Sequence, residues 1–348
     1  MKKIIAMLIV GIFLLAGFST VGVSALNICN IKTQNENKNA SIDNNLKWSF
    51  YINCDEDFKK PSEESGVVGG SGTLGDPYMI EGWLAVTEIS IKDTISHFII
   101  NNCNIFFNGI HLENVSNGKI KDCVFHYESS VAVGIGIVSS NSIMVEGCKF
   151  YSGQQAFGVE IESSENIEIN DCIFNGGVLG IGIALVSKEQ ERNINNEIHD
   201  CKINGYQTGI YLVNSDDNEI HHCTLKNNIM NIQIGNSLAP DINNNIIHHN
   251  NFLDIVPVGG FSAYSYGNNQ WNDEFGEGNY WEDYTGTDED GDGIGETPYV
   301  ISKNNQDNFP LMQSIGKSKT KDLTQMRFAY LLFKIFNLFP IIQQFLTL

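Results

Sequence analysis

Through the middle of the chain, apolar and polar positions alternate for a few residues, break at one polar or glycine position, and alternate again. The stretch Ile167-Glu168-Ile169-Asn170-Asp171-Cys172-Ile173-Phe174 shows the unit most fully. Aligned on the cysteine, the unit returns around Cys103, Cys123, Cys148, Cys201 and Cys223, with Trp83 holding the same place upstream and Asn250 downstream. These eight anchors lie 20, 20, 25, 24, 29, 22 and 27 residues apart, a period typical of solenoids whose loops vary while their turns do not. Period-two alternation on both sides of the break predicts short strands joined by a one-residue corner. The corner holds Asn102, Asp122, Gly147, Asp171 and Asp200, the residue types that adopt a left-handed backbone at least cost. A further strand is predicted later in each unit, at Gly109–Leu112, Gly134–Ile137, Gly158–Ile161, Gly180–Ile183 and Gly209–Leu212, and more weakly at Asn231–Ile234. Strands separated by corners and repeated once per coil define an all-β chain, a parallel β-helix of about eight coils.

The ends of the chain follow other rules. Met1-Lys2-Lys3, the apolar run Ile4–Gly17 and the small residues Val23-Ser24-Ala25 read as a signal peptide over residues 1–25, so the protein is expected to be exported to the cell surface or beyond. Residues 26–66 are polar and aperiodic, a loosely ordered lead-in except for Trp48, Phe50, Tyr51 and Ile52, which suit a cover for the first coil. The β-helix is placed at 67–260 and an aromatic, glycine-rich C-terminal cap with an acidic loop at 261–312. Residues 313–348 combine a basic linker with an apolar tail, in which Phe328, Leu331, Leu332, Ile335, Phe339, Ile342, Phe345 and Leu346 form a helical stripe. Arg327, Lys334 and Pro340 argue against a spanning helix. The tail is expected to lie in the membrane interface or to cover the last coil, and Lys317, Lys319 and Lys321 favour the membrane.

Charge and cysteine content narrow the function classes. Loss of Lys2 and Lys3 with the leader takes the formal charge from −20 to −22, which excludes nucleic-acid binding through phosphate neutralisation. The six repeat cysteines point the same way on successive coils, so they read as a buried column of thiols and not as disulfides, which need facing Cβ atoms. Cys29 and Cys54 lie outside the repeat and are free to pair with each other by this reading.

Three stretches resemble the NosD-like family of right-handed parallel β-helix proteins. Gly72-Thr73-Leu74-Gly75-Asp76-Pro77-Tyr78-Met79-Ile80-Glu81-Gly82-Trp83 is similar to the family's opening motif, and Gly109–Gly118 to one of its coils. Gly278–Gly286 together with Asp288–Tyr299 resembles its terminal motif. The resemblance covers about residues 70–312 and implies the right-handed fold. Because family members carry names from copper-enzyme maturation and from sugar-related β-helices, with no shared catalytic motif, it implies an activity only loosely.

Two constellations offer chemistry. Asp288, Asp290, Asp292, the Ile294 carbonyl and Glu296 are spaced as oxygen ligands of one calcium loop, except that Tyr299 stands where an EF-hand has its bidentate glutamate; Asp307 or Asp283 is expected to supply that ligand. His199, His221 and His248 share one outward position on three successive coils, with His222 and His249 at the corner, and stacked imidazoles suit copper or zinc. Solvated surface residues are the competing reading. No acid–base row of a lyase or glycosidase emerges, since Arg192 and the pair Asp216-Asp217 lie in turns. The expected role is thus a non-catalytic adhesive, scaffold or carbohydrate-binding surface, with polysaccharide or cell-envelope glycans as partners and a structural calcium ion. A polysaccharide lyase or hydrolase and a copper-handling accessory protein are the alternatives.

Overall fold

The structure, a computed structural model, describes residues 48–126, 132–153, 155–177, 179–188, 191–253 and 261–316. The expected signal peptide, Cys29 and the tail stripe fall outside these residues. Among the described residues no helix is long and apolar enough to cross a membrane.

Three parallel ladders wind into a β-solenoid. The first joins Tyr78–Glu81, Phe98–Asn101, the end of Asn104–Lys121, Asn141–Glu146, Glu165–Asn170, Glu197–His199, Glu219–His221 and Ile246–His248, so that eight strands enclose about seven turns. Its register places the expected residues opposite one another, as in Ile80↔Ile100, Ile100↔Ile120 and Ile169↔Ile198. The second ladder follows each anchor, from the start of Asn104–Lys121 and Val124–His126 to Asn251–Leu253 and Tyr280–Trp281. The third holds the later strand of each unit, including Val133–Val138, Phe157–Glu162, Ile181–Val186, Thr208–Val213 and Met230–Ile234.

The corner between the first two ladders is left-handed throughout, with φ of 50° at Asn102, 51° at Asp122, 66° at Gly147, 51° at Asp171 and 54° at Asp200. One residue in that conformation turns the strand while keeping both flanking apolar side chains inside. The core is therefore a set of columns. Phe125, Phe150 and Phe174 stack with centroids 4.6 and 4.5 Å apart, close to the spacing of neighbouring strands. The six cysteines are all buried and unbridged, and each thiol reaches back to a carbonyl of its own or the preceding coil, as Cys172 Sγ does to Val145 at 3.6 Å. Burial pushes the thiols of Cys148, Cys172 and Cys201 well above their ordinary pKa, so they act as small apolar packing groups.

The solenoid starts earlier and ends later than the repeat alone indicates. Trp48–Ile52 pairs with Val86–Thr94 as a third-ladder strand, with Phe50 and Ile52 buried, so the solenoid includes a strand ahead of the boundary at residue 67. At the other end Asn279 occupies a ninth anchor position: its Oδ1 accepts the Asn250 backbone N–H at 3.1 Å, while Tyr280 and Trp281 extend the second ladder. The anchor column thus changes from cysteine to asparagine before it closes on the buried Asp307, which accepts the Asn279 N–H at 2.7 Å. A second interior column makes the same change. Five residues before the anchors, Tyr78, Phe98, Gly118, Ile143 and Ile167 give way to Asn196, Asn218 and Asn245. These asparagines donate Nδ2–H to the next Oδ1 at 2.9, 3.0 and 2.9 Å, a ladder that Asn269 and Asn305 extend into the cap.

Candidate metal centre

The histidine row grows out of the first ladder. Register His199↔His221↔His248 stacks the three rings, with centroids 5.0 and 5.2 Å apart and planes within 5° and 9° of parallel. The corner beside them holds Asp200, His222 and His249, each at φ 54°. A corner imidazole therefore turns its ring across the ladder's edge, and the His221–His222 and His248–His249 planes meet at 86° and 84°. In both pairs the two Nδ1 atoms face each other at 2.7 Å. His248 and His249 are 4% and 0% exposed, which removes the reading of these two as solvated surface.

Carboxylates on neighbouring coils fix how these rings are protonated. His221 Nε2 lies 2.8 Å from Glu197 Oε1, His248 Nε2 2.7 Å from Glu219 Oε1, and His249 Nε2 2.6 Å from Glu277 Oε2. A carboxylate accepts and does not donate, so each of these Nε2 atoms carries the proton. At the His248–His249 pair both Nδ1 atoms then present lone pairs to one another, an arrangement that needs a shared cation or an added proton between them. Asp273 closes the site: it is buried, and one ligand atom from each of His248, His249 and Asp273 lies within 4.8 Å of the others. Asp273 Oδ1 also accepts the Phe275 and Glu277 N–H groups at 2.9 Å, which sets the loop that carries Glu277.

Surroundings shift His199, His221 and His222 in different directions. At His199 burial favours the neutral ring, but the Asp200 hydrogen bond at 3.0 Å and the charges of Glu197 and Glu168 outweigh it and raise the pKa. Burial lowers His221, and burial with the His221 and His249 rings takes His222 down to about 3. His199 is thus held toward the charged form, and His221 and His222 toward the neutral form that offers nitrogen lone pairs.

Of the residues expected to bind a transition metal, His199, His221 and His248 are brought into one row, and only His248 joins a three-residue ligand group. Glu197, Glu219, Glu277 and Asp273 were not anticipated. Glu197 and Glu219 had a signal, since each stands two residues before a histidine on the same strand face. Asp273 arrives through a loop outside the repeat.

The acidic loop behaves differently. Ligand oxygens of Asp288, Asp290 and Glu296 lie within 4.8 Å of one another, while Asp292 Oδ1 accepts the Ile294 N–H at 2.8 Å within the turn. Neither expected supplementary carboxylate joins them. Asp307 is buried beneath Trp281, whose indole N–H it accepts at 2.8 Å, because it ends the asparagine column. Asp283 accepts the Tyr299 hydroxyl at 3.0 Å.

Fold and row together define a parallel β-helix protein whose C-terminal coils carry a buried imidazole–carboxylate cluster. The family model described as periplasmic copper-binding protein (NosD) matches residues 79–286, more than half of the chain, and the chain belongs to that family. No curated protein matches the sequence. Among solved structures, the A-module of a mannuronan C-5 epimerase from Azotobacter vinelandii is 14% identical at a TM-score of 0.33, with 57% of each chain covered. A periplasmic alginate epimerase is 12% identical at a TM-score of 0.29, covering 63% of this chain and 71% of that one. The chain thus spans little more than half of the first of these, and likeness at this level carries no chemistry across.

The cluster fits the ion that the family description names. Two imidazole nitrogens and a carboxylate suit copper(II) or zinc, and a carboxylate on the far nitrogen of each ring is the usual support for a metal-binding histidine. Bonds of about 2.05 Å at a right angle put two nitrogens about 2.9 Å apart, so the pair needs to open by only a few tenths of an ångström.

Proposed function

We propose that this protein is an exported, metal-handling β-helix that binds a divalent transition ion between His248 and His249, with Asp273 as third ligand. Copper is the first choice, because copper(II) leads the divalent series at nitrogen and oxygen sites and the family's description names copper. The observation that carries the reading is the pair of Nδ1 atoms at 2.7 Å whose Nε2 partners are both carboxylates. The test is calorimetric titration of the metal-free protein with Cu²⁺ and with Zn²⁺. His248→Asn with His249→Asn should abolish tight binding, and Glu219→Gln should weaken it by about 10–100-fold through loss of ring orientation. Unchanged affinity in the double variant would refute the assignment.

A second, structural ion is supported by the convergence of Asp288, Asp290 and Glu296, three carboxylates that repel one another unless a cation is shared. Calcium suits their oxygen donors. The adhesive or carbohydrate-binding reading has less support. Phe106, His126 and Tyr151 form an outward aromatic row, but they stack on each other at 5.0 and 5.4 Å and turn their edges outward, leaving few ring faces for a sugar. A glycan array with and without calcium tests it. For the lyase or hydrolase alternative, Arg192 and Asp216 are already engaged with each other at 3.1 Å.

A further inference from the structure

The row repeats its geometry one coil before the buried site. His221 and His222 reproduce the perpendicular pair, with Nδ1 atoms 2.7 Å apart and His221 Nε2 on Glu197. Each ring stacks in register on its counterpart, His221 on His248 at 5.2 Å and His222 on His249 at 5.0 Å. Nothing in the fold requires this. The same two columns hold Asn170 and Asp171 one coil before Asp200, and a left-handed corner favours asparagine, aspartate or glycine over histidine.

The two pairs differ in what surrounds them. Asp273 belongs to the His248–His249 group alone, and among the described residues no third histidine, cysteine or carboxylate comes within the same reach of His221 and His222. Exposure also falls along the row, from 21% of the His199 side chain and 16% of His221 to 6% of His248 and 0% of His249.

We infer that the His221–His222 pair is a second, outer metal site, so that the protein holds two transition ions one coil apart, a tightly held inner ion and a labile outer one. This rests on the reading of the inner cluster as a metal site. The outer ion has two protein ligands, and its remaining positions are left to water or to a donor from a partner, which is the coordination of an ion in exchange. Glu168, Glu197, Asp200 and Glu219 line the row and supply the negative charge that two neighbouring divalent ions need. The outer site takes the same class of ion as the inner and is the more exposed of the two, so ions enter and leave through the outer pair.

Copper(II) titration of the metal-free protein, followed by equilibrium dialysis and electron paramagnetic resonance, tests this. Two ions should bind, the second at least tenfold more weakly, and at saturation the spectrum should show a half-field line from two spins roughly 5 Å apart. His221→Asn with His222→Asn places in these columns a residue that they carry at Asn101 and Asn102, so the coil is retained. That variant should bind one ion tightly, lose the half-field line and load more slowly. His248→Asn with His249→Asn should keep only the weak ion. A single ion without spin coupling in the unaltered protein, or two ions in the His221–His222 variant, would overturn the outer site while leaving the inner one standing. No ion bound at all would refute the inner site.

Discussion

At Asp307 burial and hydrogen bonding oppose each other. Its carboxyl receives N–H groups from Trp281, Asn279 and Phe309, yet burial dominates and pushes its pKa from 3.8 up to about 6. A carboxyl raised on folding contributes stability below its ordinary pKa, and that contribution is lost as pH rises through about 6. Relative to Asp307→Asn, the unaltered protein should therefore gain about 1.4 kcal/mol between pH 7 and pH 5 in denaturant melts. Taking the difference removes the opposite slope of buried histidines such as His222, which favour higher pH. A pH-independent difference would show that the hydrogen bonds, and not burial, set this group. The sequence placed Asp307 near the acidic loop because proximity in sequence was the only available guide. That it caps an asparagine column depends on Asn279 being a ninth anchor, which was concealed because Gly276 stands where the other units have Ile or Val three residues before the anchor. The stacked histidines were legible because they share the repeat's register; their carboxylate partners were less so, since Glu197 and Glu219 reach diagonally to the next coil.

At the scale of strands and corners most of the fold was legible. Cysteine, isoleucine and phenylalanine columns follow from period-two alternation, and the corner from residues that tolerate positive φ. The interior asparagine ladder was not, because asparagine is equally common at solvated turns and its burial shows only when coils are stacked. Asn218 illustrates the difference. Its Oδ1 accepts both the backbone N–H and the Nδ2–H of Asn196, at 3.0 and 2.9 Å, and its own Nδ2 donates to Asn245. Asn218→Ala should cost about 3–5 kcal/mol, since several buried groups lose partners at about 1–3 kcal/mol each. By contrast Asn101→Ala, on the outward face of a first-ladder strand, should change stability by no more than about 0.5 kcal/mol. Equal effects in chemical melts would mean that the ladder contributes nothing beyond ordinary turns.

Over the whole molecule, the coils change character from end to end. The early turns are closed by Phe50, Phe58 and Tyr78 around an apolar interior, while the late turns carry asparagine columns, the histidine row and the cap built on Trp271 and Trp281. Ile294 is bridged to Leu311, and Met312 donates to the Gly293 carbonyl at 3.0 Å, so the acidic loop is tied into that cap. Calcium, binding with an affinity on the order of 10⁻⁴ to 10⁻³ M, should stabilise the cap by roughly 2.7 kcal/mol at a hundredfold excess. Chelation should lower the melting temperature by a few degrees and open residues 276–303 to protease while residues 78–252 stay resistant, with Asp290→Ala reproducing both effects. An unchanged melt and digest would reduce the loop to a solvated turn. The cluster Trp48, Phe50, Tyr51 and Ile52 was legible as a cover for the first coil but not as the strand Trp48–Ile52, because the segment around it is polar and aperiodic.

The roles proposed for the late coils all depend on a transition ion between His248 and His249. Anomalous diffraction from crystals of the copper-loaded protein, recorded on either side of the copper absorption edge, tests it most directly. A copper peak is expected about 2 Å from both Nδ1 atoms and from a carboxylate oxygen of Asp273. A copper peak confined to other residues, or none in crystals whose solution counterpart binds copper, would contradict it.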